Sequence, residues 1–177
     1  MQNDYRSTEL AKLVRDIQDF PKPGIVYKDI TTLLKDGKAF SMAIELMTEP
    51  FIDDRPELII AVESRGFIFA SAIADRLGCG FVPVRKPGML PASTTSISYD
   101  LEYGSDELHI HTDSIREGTN VLIVDDLLAT GGTAAATEDL VKRLGGLIVG
   151  CVFLIELSFL NGRQALTSKR VHSVINY

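Results

Sequence analysis

Short apolar runs alternate with amphipathic segments along most of the chain. Helical spacing of apolar residues marks residues 67–77 and 133–144, and each segment lies between runs of the kind that form buried strands. The strand-like runs span residues 58–62, 81–84, 121–124, 147–157 and 171–177. Because strands that alternate with helices form parallel sheets covered on both faces, the pattern predicts an α/β fold with a central, mostly parallel sheet flanked by helices.

The N-terminal part of the chain departs from this alternation. Residues 7–18 have helical spacing until Pro21 and Pro23 interrupt the pattern, and a second helix is predicted over residues 37–47. We expect approximately residues 1–35 to form a small hood over the sheet.

A second departure follows the strand at residues 81–84. Residues 87–98 are rich in Gly, Pro, Ser and Thr and predict a mobile loop. Apolar and polar residues then alternate strictly over 97–104 and again over 107–111, which predicts a hairpin with its turn at residues 104–106.

Composition and charge restrict the class of protein. With 45% apolar and 24% charged residues, the 177 residues suit one soluble domain, 1–177. The net charge of −6 argues against a nucleic-acid partner. No apolar stretch reaches the length of a membrane span, and the N-terminus lacks the apolar core of a signal peptide. Cys79 and Cys151 lie among apolar residues and predict reduced thiols, so we expect a cytoplasmic protein without a membrane partner.

The most informative segment begins where the apolar run 121–124 ends. Asp125 and Asp126 follow directly and are expected at the end of the strand, because neither carboxylate would be stable inside a sheet. A short loop then leads into the helix, and its expected phosphate-binding residues are Ala129, Thr130, Gly131, Gly132 and Thr133.

This loop has the components of a phosphate site. Glycines let the backbone approach a ligand, hydroxyls offer hydrogen bonds, and the helix N-terminus presents amide N–H groups to a phosphate monoester. The carboxylates beside it suit two sugar hydroxyls or a hydrated divalent cation. Together they predict a pocket for a ribose 5-phosphate; the alternative is a plain strand–turn–helix with an acidic turn.

A similar arrangement follows the strand at residues 58–62. The turn Glu63-Ser64-Arg65-Gly66 carries an arginine at the same edge of the predicted sheet, where it could bind a pyrophosphate through two N–H groups at once. The alternative is a helix capped by Ser64 with Arg65 exposed to solvent.

The segment from Val124 to Thr133 resembles the motif with which type I phosphoribosyltransferases bind 5-phosphoribosyl diphosphate (PRPP). In that motif two acidic residues follow a hydrophobic strand and precede a Thr-Gly-Gly-Thr turn, and the segment in this chain is similar to that of members acting on adenine. The resemblance implies transfer of the phosphoribosyl group from PRPP to adenine, giving AMP and pyrophosphate. It also implies a homodimer, and Mg²⁺ carried mainly on PRPP. His109, His111 and His172 are too few for a protein-held metal cluster.

The same resemblance assigns the residues around PRPP. Asp125 and Asp126 would hold the ribose hydroxyls, and Arg65, Arg85 and Lys86 would hold the pyrophosphate. The turn after Glu63 resembles the family's pyrophosphate loop, which contains a non-proline cis peptide, so we expect one at or next to Glu63–Ser64. Residues 86–111 resemble the mobile flap and its hairpin, although Met89 stands where the family usually has a second lysine.

The remaining assignments concern the base. Glu102 corresponds to the glutamate that handles the purine proton in the family, whereas spacing alone would make it an ordinary solvent-side strand residue. Val26, Tyr27 and Lys28 lie in a segment that resembles the family's base-reading segment. Leu127 would cover the second face of the purine ring. A phosphoribosyltransferase for a 6-oxopurine and a non-catalytic nucleotide-sensing regulator stay open as alternatives.

Overall fold

The computed structural model describes residues 2–101 and 104–177, and side chains for residues 5–99 and 106–177. The chain forms two compact units, Met1–Leu46 and Met47–Tyr177. The single domain of 1–177 and the hood that ends near residue 35 stay predictions.

Helices and strands are interspersed along the described part of the chain. The helices are α1 (Gln2–Ala11), α2 (Thr31–Leu34), α3 (Gly37–Thr48), α4 (Gly66–Leu77) and α5 (Gly132–Arg143). The strands are β1 (Arg15–Gln18), β2 (Val26–Asp29), β3 (Leu58–Val62), β4 (Gly80–Val84), β5 (Thr94–Leu101), β6 (Gly104–His111), β7 (Asn120–Leu128), β8 (Leu147–Glu156) and β9 (Val171–Asn176). Short 3₁₀ helices cover Glu49–Phe51, Ser158–Leu160 and Gly162–Ala165.

In the N-terminal unit, β1 pairs with β2 in antiparallel fashion, with Arg15 opposite Asp29. The Asp29 carboxylate accepts a hydrogen bond from the backbone N–H of Thr31 at 2.9 Å and another from Nε of Arg15 at 3.1 Å. These hydrogen bonds lower the pKa of Asp29 to about 2. The carboxylate therefore stays ionised at all ordinary pH values and fastens the end of β2.

The predicted helix over residues 7–18 is wrong in its second half. The helix α1 ends at Ala11, and Arg15–Gln18 forms β1 instead. The apolar spacing in this segment fits a helix, but pairing with β2 satisfies the same backbone groups, so tertiary context decides. The second predicted helix is confirmed as α3.

The C-terminal unit contains a five-stranded sheet in the order β4-β3-β7-β8-β9, and every neighbouring pair is parallel. The sheet's apolar core includes Leu140 and Val141 of α5, and Leu108 and Ile110 from the inner face of β6. The α/β fold predicted from the sequence is therefore confirmed.

The connections leave β3 and β7 in opposite directions. β3 leads through α4 to β4 on one side of the sheet, whereas β7 leads through α5 to β8 on the other. Open α/β sheets bind ligands in the crevice between adjacent strands whose connections diverge in this way. The turns after β3 and β7 therefore border the expected binding crevice.

β7 is longer than the sequence indicated. The pairing with β3 ends at Ala61 opposite Val124, but the pairing with β8 continues to Leu128 opposite Glu156. Asp125 and Asp126 are consequently inside the strand, which continues to Leu128, and the expectation that they lie at its end is wrong. The sheet tolerates the two carboxylates because β7 has already passed the end of β3 at this point.

The flap hairpin forms with a different register from the one predicted. β5 pairs with β6 from Thr94 opposite His111 to Leu101 opposite Gly104, so the strand takes up part of the predicted loop over residues 87–98. The predicted turn at residues 104–106 is wrong, because these residues belong to β6. Residues 102 and 103 fall outside the described residues, and the prediction for Glu102 falls there with them.

Two further expectations concern thiols and membrane helices. Cys151 is buried and Cys79 half-buried, and both are free thiols. Among the residues that the structure describes, no helix has the length and apolar character needed to cross a membrane.

Glu138 of α5 anchors the segment that leads into β9. Its fully buried carboxylate accepts hydrogen bonds from the Thr167 backbone N–H at 2.7 Å, the Thr167 hydroxyl at 2.6 Å and the Ser168 backbone N–H at 2.9 Å. Burial opposes ionisation of Glu138, but these hydrogen bonds outweigh it and lower the pKa of the carboxyl group. The residue was not recognised in the sequence because its partners lie far along the chain.

We expect Glu138→Gln to lower the free energy of unfolding by about 2 kcal/mol at pH 7, because the amide replaces charge-assisted hydrogen bonds and turns a donor towards other donors. Urea unfolding measures this difference. Since the native pKa is lowered, the stabilisation is complete above the ordinary value of 4.5 and is lost as pH falls through the native value. The difference should therefore shrink in acid. An equal loss in the matched Glu117→Gln variant, at an exposed position, would contradict the assignment.

Candidate active site

Two carboxylates lie where β7 extends past β3. Asp126 is buried and Asp125 half-buried, and Oδ1 of Asp125 accepts the backbone N–H of Asp126 at 2.8 Å. Nε of Arg65 lies 3.0 Å from Oδ2 of Asp126. The structure therefore brings together three residues that the sequence placed at the ends of two separate strands.

Burial disfavours the ionised form of both carboxylates. It raises the pKa of Asp125 well above the ordinary value, and the neighbouring charge of Asp126 raises it further. Burial also raises the pKa of Asp126, against the opposing effect of the Arg65 guanidinium. A ligand that donates hydrogen bonds or brings positive charge is the natural partner for such a pair.

Gly66 lets the start of α4 approach the carboxylates. A Cβ atom at this position would lie 2.7 Å from Oδ1 of Asp125 and 3.3 Å from the carbonyl oxygen of Val124. Any side chain at position 66 would have to displace Asp125. Close packing against Asp125 thus explains why a residue without a side chain follows Arg65.

The turn after β3 contains the predicted cis peptide, between Glu63 and Ser64. Helix α4 has Arg65 as its N-cap, so the alternative of a Ser64 cap is wrong. Nε and Nη2 of Arg85 donate to Oε2 of Glu63 at 3.0 and 2.8 Å, and the backbone N–H of Lys86 donates to its Oε1. Glu63 therefore ties the first residues of the flap to the turn.

Residues 129–133, which the sequence predicts to bind phosphate, are called the phosphate loop below. Gly131 has φ +86°, a conformation that favours glycine, and it is the N-cap of α5. The helix begins at Gly132, one residue earlier than predicted, and Thr133 lies in its first turn. The first amide N–H groups of a helix have no partner within the helix, so they are available to an anion.

A hydrogen-bonded chain connects the flap to this loop. Nζ of Lys86 pairs with the carboxylate of Asp106, which also accepts the Tyr99 hydroxyl at 3.2 Å. The same hydroxyl lies 3.1 Å from Oγ1 of Thr133. Lys86 and Thr133 were both predicted as site residues, but Tyr99 and Asp106 were missed because the predicted hairpin turn was misplaced.

The residues predicted to read the base belong to different units. In the N-terminal unit Val26 is exposed, Tyr27 packs edge-to-face against Phe20 at 5.1 Å between ring centroids, and Nζ of Lys28 donates to Asp16 at 2.7 Å. Leu127 is a half-buried residue of β7 in the C-terminal unit. Their joint contact with a base stays a prediction, as does the role of Glu102.

Known proteins resemble this chain in both sequence and fold. The family model described as a phosphoribosyl transferase domain matches residues 31–174. The adenine phosphoribosyltransferase of Pseudothermotoga lettingae is 54% identical over 169 residues, which cover 96% of this chain and 99% of the relative. The corresponding protein of Desulfitobacterium hafniense is 51% identical over 172 residues, covering 97% of this chain and 99% of the relative.

Solved structures agree with these relatives. A crystal structure of adenine phosphoribosyltransferase from Thermoanaerobacter pseudethanolicus has a TM-score of 0.94 at 51% identity, covering 97% of this chain and 99% of the other. The enzyme from Saccharomyces cerevisiae, complexed with adenine and an imino-altritol bisphosphate, has a TM-score of 0.91 at 37% identity, with coverage of 97% and 99%. The chain belongs to the type I phosphoribosyltransferases and, within them, to the adenine phosphoribosyltransferase family.

We expect Asp125→Asn to stabilise the unliganded protein at pH 7 by about 1 kcal/mol, the lower end of the ~1–3 kcal/mol that burying a polar group costs in proteins. Asparagine retains the acceptor for the Asp126 N–H but removes the buried charge. Because the native pKa of Asp125 is raised, the wild type loses stability as pH rises from the ordinary value of 3.8 through the native value.

Thermal unfolding at several pH values tests this expectation. The gap between variant and wild type should widen from pH 4 to pH 7, whereas Asp113→Asn, at an exposed position, should show no such trend. A gap that stays constant with pH would refute the assigned pKa shift.

Proposed function

We infer that the protein transfers the 5-phosphoribosyl group of PRPP to adenine and releases AMP and pyrophosphate. The observation that carries this inference is the N-terminus of helix α5, which follows the strand that holds Asp125 and Asp126, in a chain about half identical to adenine phosphoribosyltransferases over nearly their whole length. The yeast relative, solved with adenine and a bisphosphate analogue, supports the same pair of ligand classes.

The 5′-phosphate is assigned to the loop of residues 129–133. The first amide N–H groups of α5 and the hydroxyls of Thr130 and Thr133 offer donors to its oxygens. Asp125 and Asp126 would then accept hydrogen bonds from the 2′- and 3′-hydroxyls. As the bond to pyrophosphate breaks, positive charge develops at C1′, and nearby carboxylates stabilise it.

The leaving pyrophosphate is assigned to Arg65, Arg85 and Lys86. Arg65 lies beside Asp126, next to the proposed ribose position. Arg85 pairs with Glu63, and Lys86 pairs with Asp106. Each cation would therefore either leave its carboxylate for the incoming phosphates or contact both. Met89 is exposed and neutral, so it adds no cation to this set.

Asp125 and Asp126 also fit a hydrated Mg²⁺, because carboxylate oxygens are the ligands that this ion prefers. We propose that the ion is held mainly by PRPP, with these carboxylates contributing through its water molecules. When bound, Mg²⁺ neutralises charge on the leaving pyrophosphate.

The base is assigned to residues 26–28 with Leu127, and its proton to Glu102. Backbone C=O and N–H groups around Tyr27 match the N6 amino group and N1 of adenine, and would reject the O6 acceptor of 6-oxopurines. Joining N9 to C1′ requires loss of a ring proton, which a carboxylate hydrogen-bonded at N7 assists. Closure of the flap would exclude water from C1′. We further propose a cytoplasmic homodimer.

Pyrophosphate release with PRPP and Mg²⁺, measured separately with adenine, hypoxanthine, guanine and xanthine, tests this function. We expect turnover with adenine at least about 100-fold above the others, because a site built for an amino donor leaves its acceptor unpaired with a 6-oxopurine. Exclusive use of a 6-oxopurine would move the protein to a sister transferase. Lack of turnover with every base would favour the non-catalytic regulator, which the net charge of −6 and the family membership oppose.

Glu102→Gln tests the proton-transfer role. We expect kcat to fall by about 100- to 10,000-fold, the usual contribution of a positioned acid–base group, while the dissociation constant for PRPP stays within about twofold. Glu107→Gln is the matched control on the same hairpin and should retain wild-type turnover. Loss of PRPP binding without loss of kcat would remove Glu102 from this role.

Asp106→Asn tests whether Lys86 must leave its carboxylate partner to reach pyrophosphate. Freeing a partly exposed ion pair is worth up to about 1 kcal/mol, so KM for PRPP should fall by up to about fivefold and product inhibition by pyrophosphate should tighten equally. Initial-rate kinetics at low ionic strength measure both. A higher KM for PRPP in this variant would contradict the exchange.

A further inference from the structure

The phosphate loop rests directly on a glycine from a distant part of the chain. A Cβ atom on Gly162 would overlap the carbonyl oxygen of Ala129 and lie 3.1 Å from the backbone nitrogen of Gly131. A Cβ atom on Gly131 would in turn overlap the carbonyl oxygen of Gly162 and lie 2.9 Å from Cβ of Ala165. Two stretches of backbone therefore touch with no side chain between them.

The restriction at Gly162 is one of space. Gly131 has φ +86°, so a side chain there is strained as well as crowded. Gly162 lies at the start of the 3₁₀ helix Gly162–Ala165, and the left-handed residue of this turn is the preceding Asn161, with φ 54°. An alanine at 162 would thus meet the backbone of the phosphate loop, which cannot move aside as a flexible side chain can.

Arg163, the residue after Gly162, attaches this turn to the sheet through hydrogen bonds. Arg163 donates from Nε to Oε1 of Glu156 and from Nη2 to its Oε2, both at 2.7 Å, and from Nη1 to the carbonyl oxygen of Val171 at 2.7 Å. Glu156 is buried and also accepts the Ser173 hydroxyl at 2.7 Å. Hydrogen bonds from Arg163 lower the pKa of Glu156 in spite of its burial.

Glu156 also pairs with the strand residue that precedes the phosphate loop. Glu156 is opposite Leu128 in the pairing of β8 with β7, and Ala129 is the next residue after Leu128. The backbone N–H of Leu157 donates to the carbonyl oxygen of Leu128 at 2.9 Å. One end of the loop is thus held by the sheet, and its middle is held by a turn tied to that sheet.

We propose that Gly162 is a positioning residue that fixes the backbone of residues 129–131 for the 5′-phosphate, with Arg163 and Glu156 holding Gly162 in place. The inference rests on the proposed function, because it takes that loop to be the phosphate site. In this proposal Gly162 contacts no substrate. Its backbone packs against the loop and so limits the positions that the loop backbone can take. Displacing such a backbone by about 1 Å is enough to cost up to about 100-fold in a bound ligand's productive placement.

Binding of two ligands separates positioning from general stability. Ribose 5-phosphate reports on the phosphate loop, whereas pyrophosphate with Mg²⁺ reports on Arg65 and the flap cations. We expect Gly162→Ala to raise the dissociation constant for ribose 5-phosphate by about 10- to 100-fold in calorimetry and to leave that for magnesium pyrophosphate within about twofold. Gly37→Ala is the matched control, since a Cβ there meets open space within the described part of the chain.

A second variant keeps the test decisive if Gly162→Ala does not fold. Arg163→Lys retains the charge but loses the fork on Glu156, and it should weaken ribose 5-phosphate binding by about threefold or more, again without affecting magnesium pyrophosphate. Unchanged ribose 5-phosphate binding in a folded variant, or equal weakening of both ligands, would overturn the proposal. Failure of the wild type to bind ribose 5-phosphate would instead overturn the proposed function.

Discussion

The pairing of β7 with β8 beyond the end of β3 is the constraint on which the site depends. It keeps Asp125 and Asp126 in a regular strand while leaving them without β3 as a neighbour on their other side. The space beside them is taken by the turn after β3, which brings Arg65 and Gly66 to the carboxylates. If β7 ended where β3 ends, the acidic pair would lie in a loop and would lose the burial that raises its pKa.

That burial has a cost for the unliganded protein and a use for the liganded one. Two adjacent carboxylates with raised pKa values oppose folding at neutral pH, and the Arg65 guanidinium offsets this effect only in part. The hydroxyls of a ribose would supply hydrogen-bond donors to the pair, and a cation would supply positive charge. Ligand sites often destabilise the empty protein, because the polar groups placed for the ligand lack its hydrogen bonds and charge when it is absent. Under the proposed function, the carboxylate pair is such a site.

Much of the fold, and the position of the loop that is proposed to bind phosphate, could be predicted from the sequence. The strand–turn–helix units are local, so apolar runs and glycines located β3, α4, β7 and α5 and the residues at their junctions. The hairpin turn was misplaced because the alternation of apolar and polar residues does not fix the pairing register. β1 replaced part of the predicted helix because another segment, β2, pairs with it. Tyr99, Asp106 and Gly162 were missed for the same reason, since their partners are remote in the chain.

The face-to-face contact of Gly131 with Gly162 bears on how such a site can be transplanted. Grafting only the acidic pair and the glycine-rich loop onto another α/β scaffold would leave the loop without the surface against which it is shaped. A designer would have to carry over the turn at residues 161–165 together with Glu156, as a second and sequence-distant piece. Recombination that exchanges the last strands between relatives would likewise preserve the loop only if both pieces came from the same parent.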